Sequence, residues 1–140
     1  MKKGHIYTLV FMLLISAALT FALAAAYEGF KPAINKNAAL QEQRAVLYAL
    51  GLDTGLKDGE VAAVYDEKIK VGELNGLSVL VHEQGGPQAY AVPFEGSALW
   101  GALKGYLGVK ASLNEITGLV FTYQNETPGL GGRIDEEAYK

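Results

Sequence analysis

The densest run of chemically suggestive residues is Glu126-Thr127-Pro128-Gly129-Leu130-Gly131-Gly132-Arg133-Ile134. Pro128 fixes one backbone angle, and the glycines strip side chains from a short loop. Such a loop passes its amides close to a flat or anionic ligand. Glu126 and Thr127 place an acceptor and a hydroxyl beside it. A cofactor with an apolar ring and polar edges suits a site of this make-up, and Leu99 and Trp100 are candidates for its apolar wall. The glycine run alone reads as a surface turn. It lacks the Lys-Ser/Thr pair of a phosphate-binding P-loop.

Other chemistry is thin. His82, the only histidine beyond the N-terminal tail, reads as a strand-end side chain bonded to backbone or water. The acidic groups Asp66-Glu67 and Asp135-Glu136-Glu137 read as solvated turn and helix-start carboxylates. Scattered carboxylates do not make a metal site, which needs ligands converging from several elements. No serine sits in a nucleophile-elbow pattern. With no cysteine there is no disulfide framework, thiolate metal site or cysteine nucleophile. No residue is read as a catalytic acid, base or nucleophile, and none as a metal ligand. The net charge of −3, with no Lys/Arg cluster, argues against nucleic acid as a partner.

The elements that must position the loop follow from pattern. Ile6–Ala26 is uncharged and apolar, and about 20 such residues span a bilayer as a helix. Lys2 and Lys3 precede this run and Glu28 follows it. The positive-inside rule then sets residues 1–5 in the cytoplasm, residues 6–27 across the membrane and the rest outside. Ala22-Leu23-Ala24 and Ala24-Ala25-Ala26 fit a small-x-small cleavage pattern, but the apolar run is longer than a signal core of about 7–15 residues, so a retained single-pass anchor is expected. Pro32–Leu50 carries a loose helical stripe, Pro32 suiting a first turn and Gly51 the stop. Residues 28–52 are thus expected as a stalk or cover helix, and residues 53–140 as one small domain.

Within that domain, Glu60–Tyr65 and Lys68–Val71 read as short strands. Asn75-Gly76 is a tight-turn signal before the apolar strand Leu77–His82. Gly85-Gly86-Pro87 turns the chain into a hairpin partner at Gln88–Val92. Gly96, Gly101, Gly105 and Gly108 punctuate the next stretch, and Leu113–Tyr123 supplies the last strand. Asp135–Lys140 starts a helical pattern, which is the expectation for a chain cut short. The fold class expected is α+β: one N-terminal transmembrane helix, then a small extracytoplasmic domain of antiparallel strands with flanking helices.

The string ETPGLGG at Glu126–Gly132 resembles the flavin-binding domain shared by two membrane complexes. Its carriers are the C subunit of the sodium-translocating NADH:quinone reductase (Nqr) and the G subunit of the Rnf electron-transport complex. Phe30-Lys31-Pro32, Asn37 and Gln43 with Gly51-Leu52 resemble the segment after that family's anchor. Gly96, Leu99-Trp100, Gly105-Tyr106-Leu107 and Ile116-Thr117-Gly118 continue the resemblance along the whole chain, and the likeness of Gly96 and Leu99-Trp100 to the Gly-Leu-Trp stretch of the Nqr member favours that member. The resemblance implies that residues 53–140 are an FMN-binding-type domain, with FMN as cofactor and other membrane subunits of an Nqr/Rnf-type complex as partners. The flavin of such a protein passes electrons between redox centres, coupled to sodium or proton transport by the partners. It implies flavin contacts from Glu126 and Thr127, close backbone approach at Gly129 and Gly131, and ring packing by Leu130, Leu99 and Trp100.

Two departures stand out. The family commonly has histidine before the Glu-Thr-Pro loop, where this chain has Gln124-Asn125. The family also esterifies FMN to a threonine in a downstream Ser/Thr-Gly-Ala-Thr-x-Thr motif. Residues 1–140 hold no such motif, and the surroundings of Thr127 do not match it. Two rival readings follow: a flavin-free structural or assembly protein of such a complex, and a free-standing secreted flavoprotein.

Overall fold

The computed structural model describes residues 2–52 and 55–139. Residues 1–38 and 39–140 form two compact units. The first is helical throughout its described residues, and the helix to which it belongs, α1, runs Lys2–Ala49. Its side chains from Ile6 to Leu23 are uncharged, mostly apolar and exposed on every side, the pattern of a helix whose solvent is lipid. It is the one described helix long and apolar enough to cross a membrane. Pro32 lies inside α1 and does not start a new helix. A proline removes one intrahelical hydrogen bond. The long runs of good helix formers on both sides, together with the Lys31–Glu28 pair at 3.1 Å, carry the helix through.

In the second unit the end of α1 and a second helix, α2 (Asp58–Lys68), accompany a five-stranded antiparallel meander. The strands are β1 (Ile69–Leu74), β2 (Leu77–Glu83), β3 (Pro87–Ser97), β4 (Ala102–Lys110) and β5 (Ile116–Tyr123), in spatial order β1-β2-β3-β4-β5. This is the expected α+β architecture of an apolar helix followed by antiparallel strands with flanking helices. Two 3₁₀ turns, Gly131–Asp135 and Glu137–Tyr139, follow the sheet where a helix start was expected. The 3₁₀ form is commonly used in such short pieces.

The Glu60–Tyr65 segment is helical, not a strand. Its valines and tyrosine favour strands locally, but Asp58 and Glu60 suit a helix N-terminus and Lys68 its C-terminus. The Lys57 amide donates to Glu60 Oε2 at 3.1 Å, half of a capping box. Arg44 ties this start to α1, donating to Leu56 O at 3.0 Å and to Asp58 Oδ1 at 2.8 Å. Val61 is fully buried on the inward face.

The core lies where these helices meet one sheet face: Val46, Leu47 and Leu50 against Val61, Ile69, Ala89 and Ala91. The helical end of α1 closes as expected at Gly51, whose φ is +72°. The Leu52 amide donates back to Leu47 O at 2.8 Å and the Gly51 amide to Tyr48 O at 2.9 Å, the paired bonds of a Schellman motif. Thr117, the extra residue of a bulge between β4 and β5, donates its hydroxyl to Ala49 O at 2.6 Å.

Strand β4 carries two of the glycines that punctuate this stretch of the sequence. Gly105 and Gly108 lie inside it because neighbours come too close for any side chain. A Cβ at Gly108 would run into Ala49 O and the Thr117 hydroxyl, and one at Gly105 would meet Phe94 Cζ at 2.6 Å and the Val120 carbonyl. Phe94 therefore lies over Gly105, edge-on to Phe121 at 5.8 Å between ring centroids. The sheet is apolar on this second face too, where Val79 and Val81 are buried.

Candidate functional site

The residues singled out from sequence sit on two connected segments at one end of the sheet. Between β3 and β4 the chain turns tightly, the Ala98 amide donating to Gly101 O at 2.7 Å. Leu99 and Trp100 form the outer corner of that turn. After β5 the chain enters Gln124-Asn125-Glu126 and then a second turn. There the amides of Leu130 and Gly132 both donate to Thr127 O, at 3.1 and 3.0 Å. Gly129 holds the φ of +76° that this turn demands.

The two segments are joined by Glu126. Its Oε1 accepts the Trp100 amide at 3.0 Å, across 26 residues of sequence. Its other edge packs on Gly131, where a Cβ would come within 2.6 Å of Oε2. Leu99, Trp100 and Leu130 project into solvent, 80%, 67% and 73% exposed. Three large apolar side chains are thus left open on linked turns. Thr127 is exposed beside them. The structure thus brings Leu99 and Trp100 to Glu126, and Glu126 to Gly131. It also shows that the Leu130 and Gly132 amides serve the turn itself.

Two residues that sequence reasoning treated only as a departure hold the site together. Gln124 Oε1 accepts the Glu126 amide at 2.7 Å while its Nε2 donates to Asp135 Oδ2 at 3.0 Å. Asn125 Nδ2 donates to Tyr123 OH at 2.8 Å, and its side chain lies where a Cβ at Gly101 would meet it at 3.1 Å. The available signal was two carboxamides immediately after a strand, a position where such side chains commonly bond nearby backbone.

His82 is not part of this site. It pairs with Ile69 and Ala89, at the other end of β3 from the Trp100 turn. Instead of a strand-end histidine with a partner, it is buried with Nε2 unpaired. Burial, and secondarily the charge of Lys68, holds its pKa below the usual histidine range. A groove of about 270 Å³ opens nearer the site, lined by Glu42, Glu95, Lys104, Tyr106 and Thr122 among others. Its charges are satisfied internally: Tyr106 donates to Glu42 at 2.7 Å, and Lys104 pairs with Glu95 at 3.1 Å. Burial, reinforced by that carboxylate, pushes the Tyr106 phenol far up. Burial likewise raises Tyr65, with Glu42 and Asp66 adding to it. Among the described residues no group of three or more His, Cys, Asp or Glu could hold a metal ion.

No protein-family model matches the chain. The C subunit of the Na(+)-translocating NADH-quinone reductase of Pseudomonas aeruginosa is 36% identical over 88 residues, 63% of this chain and 34% of that protein. The chain is similar to the C subunit of this reductase. Its counterpart in Chlamydia pneumoniae is 47% identical over 47 residues, 34% of this chain and 15% of that protein. The crystal structure of the same reductase component from Parabacteroides distasonis superposes with a TM-score of 0.62 at 25% identity, covering 75% of this chain and 63% of that one. The aligned part of the chain spans about a third or less of these curated relatives. They agree with the family that the ETPGLGG loop and Leu99-Trp100 resemble.

Proposed function

We propose that this chain is a membrane-anchored flavin-binding subunit of a sodium-translocating NADH:quinone reductase type of complex, with FMN as its cofactor and the other membrane subunits as partners. The observation that carries this reading is the Glu126–Trp100 hydrogen bond, which joins the ETPGLGG loop to the Leu99–Trp100 turn. The relatives, C subunits of the reductase, supply the complex.

FMN, when bound, supplies one-electron chemistry that side chains lack. The chain's own part is to bind and orient. Leu99, Trp100 and Leu130 pack on the ring, Thr127 offers a hydroxyl to its polar edge, and Gly129 and Gly131 keep the loop slim enough for close approach. Glu126 holds the two segments in one frame. The apolar helix anchors the chain in the cell membrane, with Lys2 and Lys3 on the cytoplasmic side and residues 53–140 outside.

The test is a titration of the full chain in detergent with FMN, followed by flavin fluorescence. Saturable quenching is expected, with affinity lost about tenfold in W100A and in L130A, since stacking on an aromatic ring contributes on the order of 1 kcal/mol. No saturable binding to wild type rejects the flavin reading. One observation favours a flavin-free structural role instead: Glu126 and Gly131 have a structural use of their own, joining the loop to the Trp100 turn.

A further inference from the structure

Three consecutive side chains after β5 reach three different parts of the site. Gln124 grips the first 3₁₀ turn through Asp135 and holds the Glu126 amide. Asn125 packs on Gly101, the last residue of the β3–β4 turn, and bonds Tyr123 at the end of β5. Glu126 takes the Trp100 amide on one oxygen and abuts Gly131 with the other. None of these contacts lies within a helix or a strand ladder. They connect two turns that, among the described residues, share no backbone-to-backbone hydrogen bond.

We propose that Gln124, Asn125 and Glu126 form a latch whose role is positioning: it holds the Leu99–Trp100 turn against the Leu130 loop and so preorganises the apolar wall. This rests on the proposed function for the identity of the ligand but not for the latch itself. On this account Glu126 acts mainly through the Trp100 turn. The amide pair Gln124-Asn125 supplies the support that fixes the loop, through Asp135 and Tyr123. Holding both turns in their bound arrangement before the ligand arrives removes an ordering cost from binding. The binding affinity should then depend on residues that need not touch the ligand.

Trp100 is the only tryptophan of the chain, so its emission reports on the latch directly. The experiment is time-resolved anisotropy of Trp100 in the full chain in detergent, with and without FMN, for wild type, E126A, E126Q and G131A. E126Q keeps an oxygen acceptor. G131A pushes the carboxylate out of place from the opposite side. The expected result is fast local depolarisation of Trp100 in E126A and G131A, near wild-type anisotropy in E126Q, and unchanged far-ultraviolet circular dichroism in all. FMN affinity should fall about tenfold in E126A and G131A and recover to within about twofold in E126Q. Unchanged Trp100 mobility in both E126A and G131A overturns the latch. So does wild-type FMN affinity in both, or failure of E126Q to rescue. If wild type binds no FMN, the flavin reading falls, and the latch is judged on mobility alone.

Discussion

At the scale of single residues, His82 carries the sharpest consequence for solution behaviour. It lies between Ile69 and Ala89 with Nε2 unpaired, and Lys68 is the charge that acts on it. Its folded-state pKa is lowered, whereas in the unfolded chain it titrates near about 6.5. The unfolded state therefore binds the extra proton first. Stability is fully present above about pH 6.5 and declines as the pH falls towards the folded pKa. Denaturant titrations between pH 7 and 5 should show this slope, and H82L should flatten it, because an apolar residue leaves no orphaned nitrogen. A slope that survives in H82L assigns the pH dependence to other groups. His82 was visible in the sequence as the end of an apolar strand. Its missing partner was not, because that depends on what β1 and β3 place beside it.

At the scale of elements, the docking of α1 on the sheet rests on close approach more than on large side chains. Ala49 O lies over Gly108 and is capped by Thr117. T117V should cost about 1 kcal/mol, the net value of one such bond. G108A should cost about 3 kcal/mol, the upper end of overpacking penalties, because its Cβ meets backbone that cannot swing away. Urea melts of both variants check this order; a G108A milder than T117V contradicts the packing. The same contacts explain what was legible. Asn75-Gly76 and Gly85-Gly86 announced their turns because turn geometry is set by the residues within it. Gly51 announced the end of α1 for the same reason. The particular reason for Gly105 and Gly108 was not legible, since it lies in Phe94, Val120 and Ala49, apart from them in sequence. In α2, local strand propensity was outweighed by end charges and by burial of Val61. The site was legible in its parts, Glu126–Gly131 and Leu99-Trp100, while the bond joining them spans a distance that no local pattern encodes.

At the scale of the whole molecule, the first unit and the second meet different solvents. The apolar, all-round exposed surface of α1 from Ile6 to Leu23 belongs in lipid. Alkaline carbonate should therefore fail to strip the full chain from membranes. Arg at both Leu13 and Leu14 should release it, each arginine at a helix centre costing about 2.5–3.5 kcal/mol on insertion. Release of the wild-type chain by carbonate contradicts the anchor.

The meander order has a consequence in time as well as in space. Each strand pairs with its neighbour in sequence, so the sheet can zip up hairpin by hairpin as the chain emerges, with little entropy lost to long loops. The bond from Thr117 to Ala49 breaks that pattern, because it closes a span of 68 residues. The end of α1 can pack early on α2, β1 and β3 through Val46, Leu47 and Leu50, but the Ala49 carbonyl reaches its seat only when β4 and β5 are formed. For that interval the last turn of α1 lacks its cap, and this is the period in which a chaperone has most to protect.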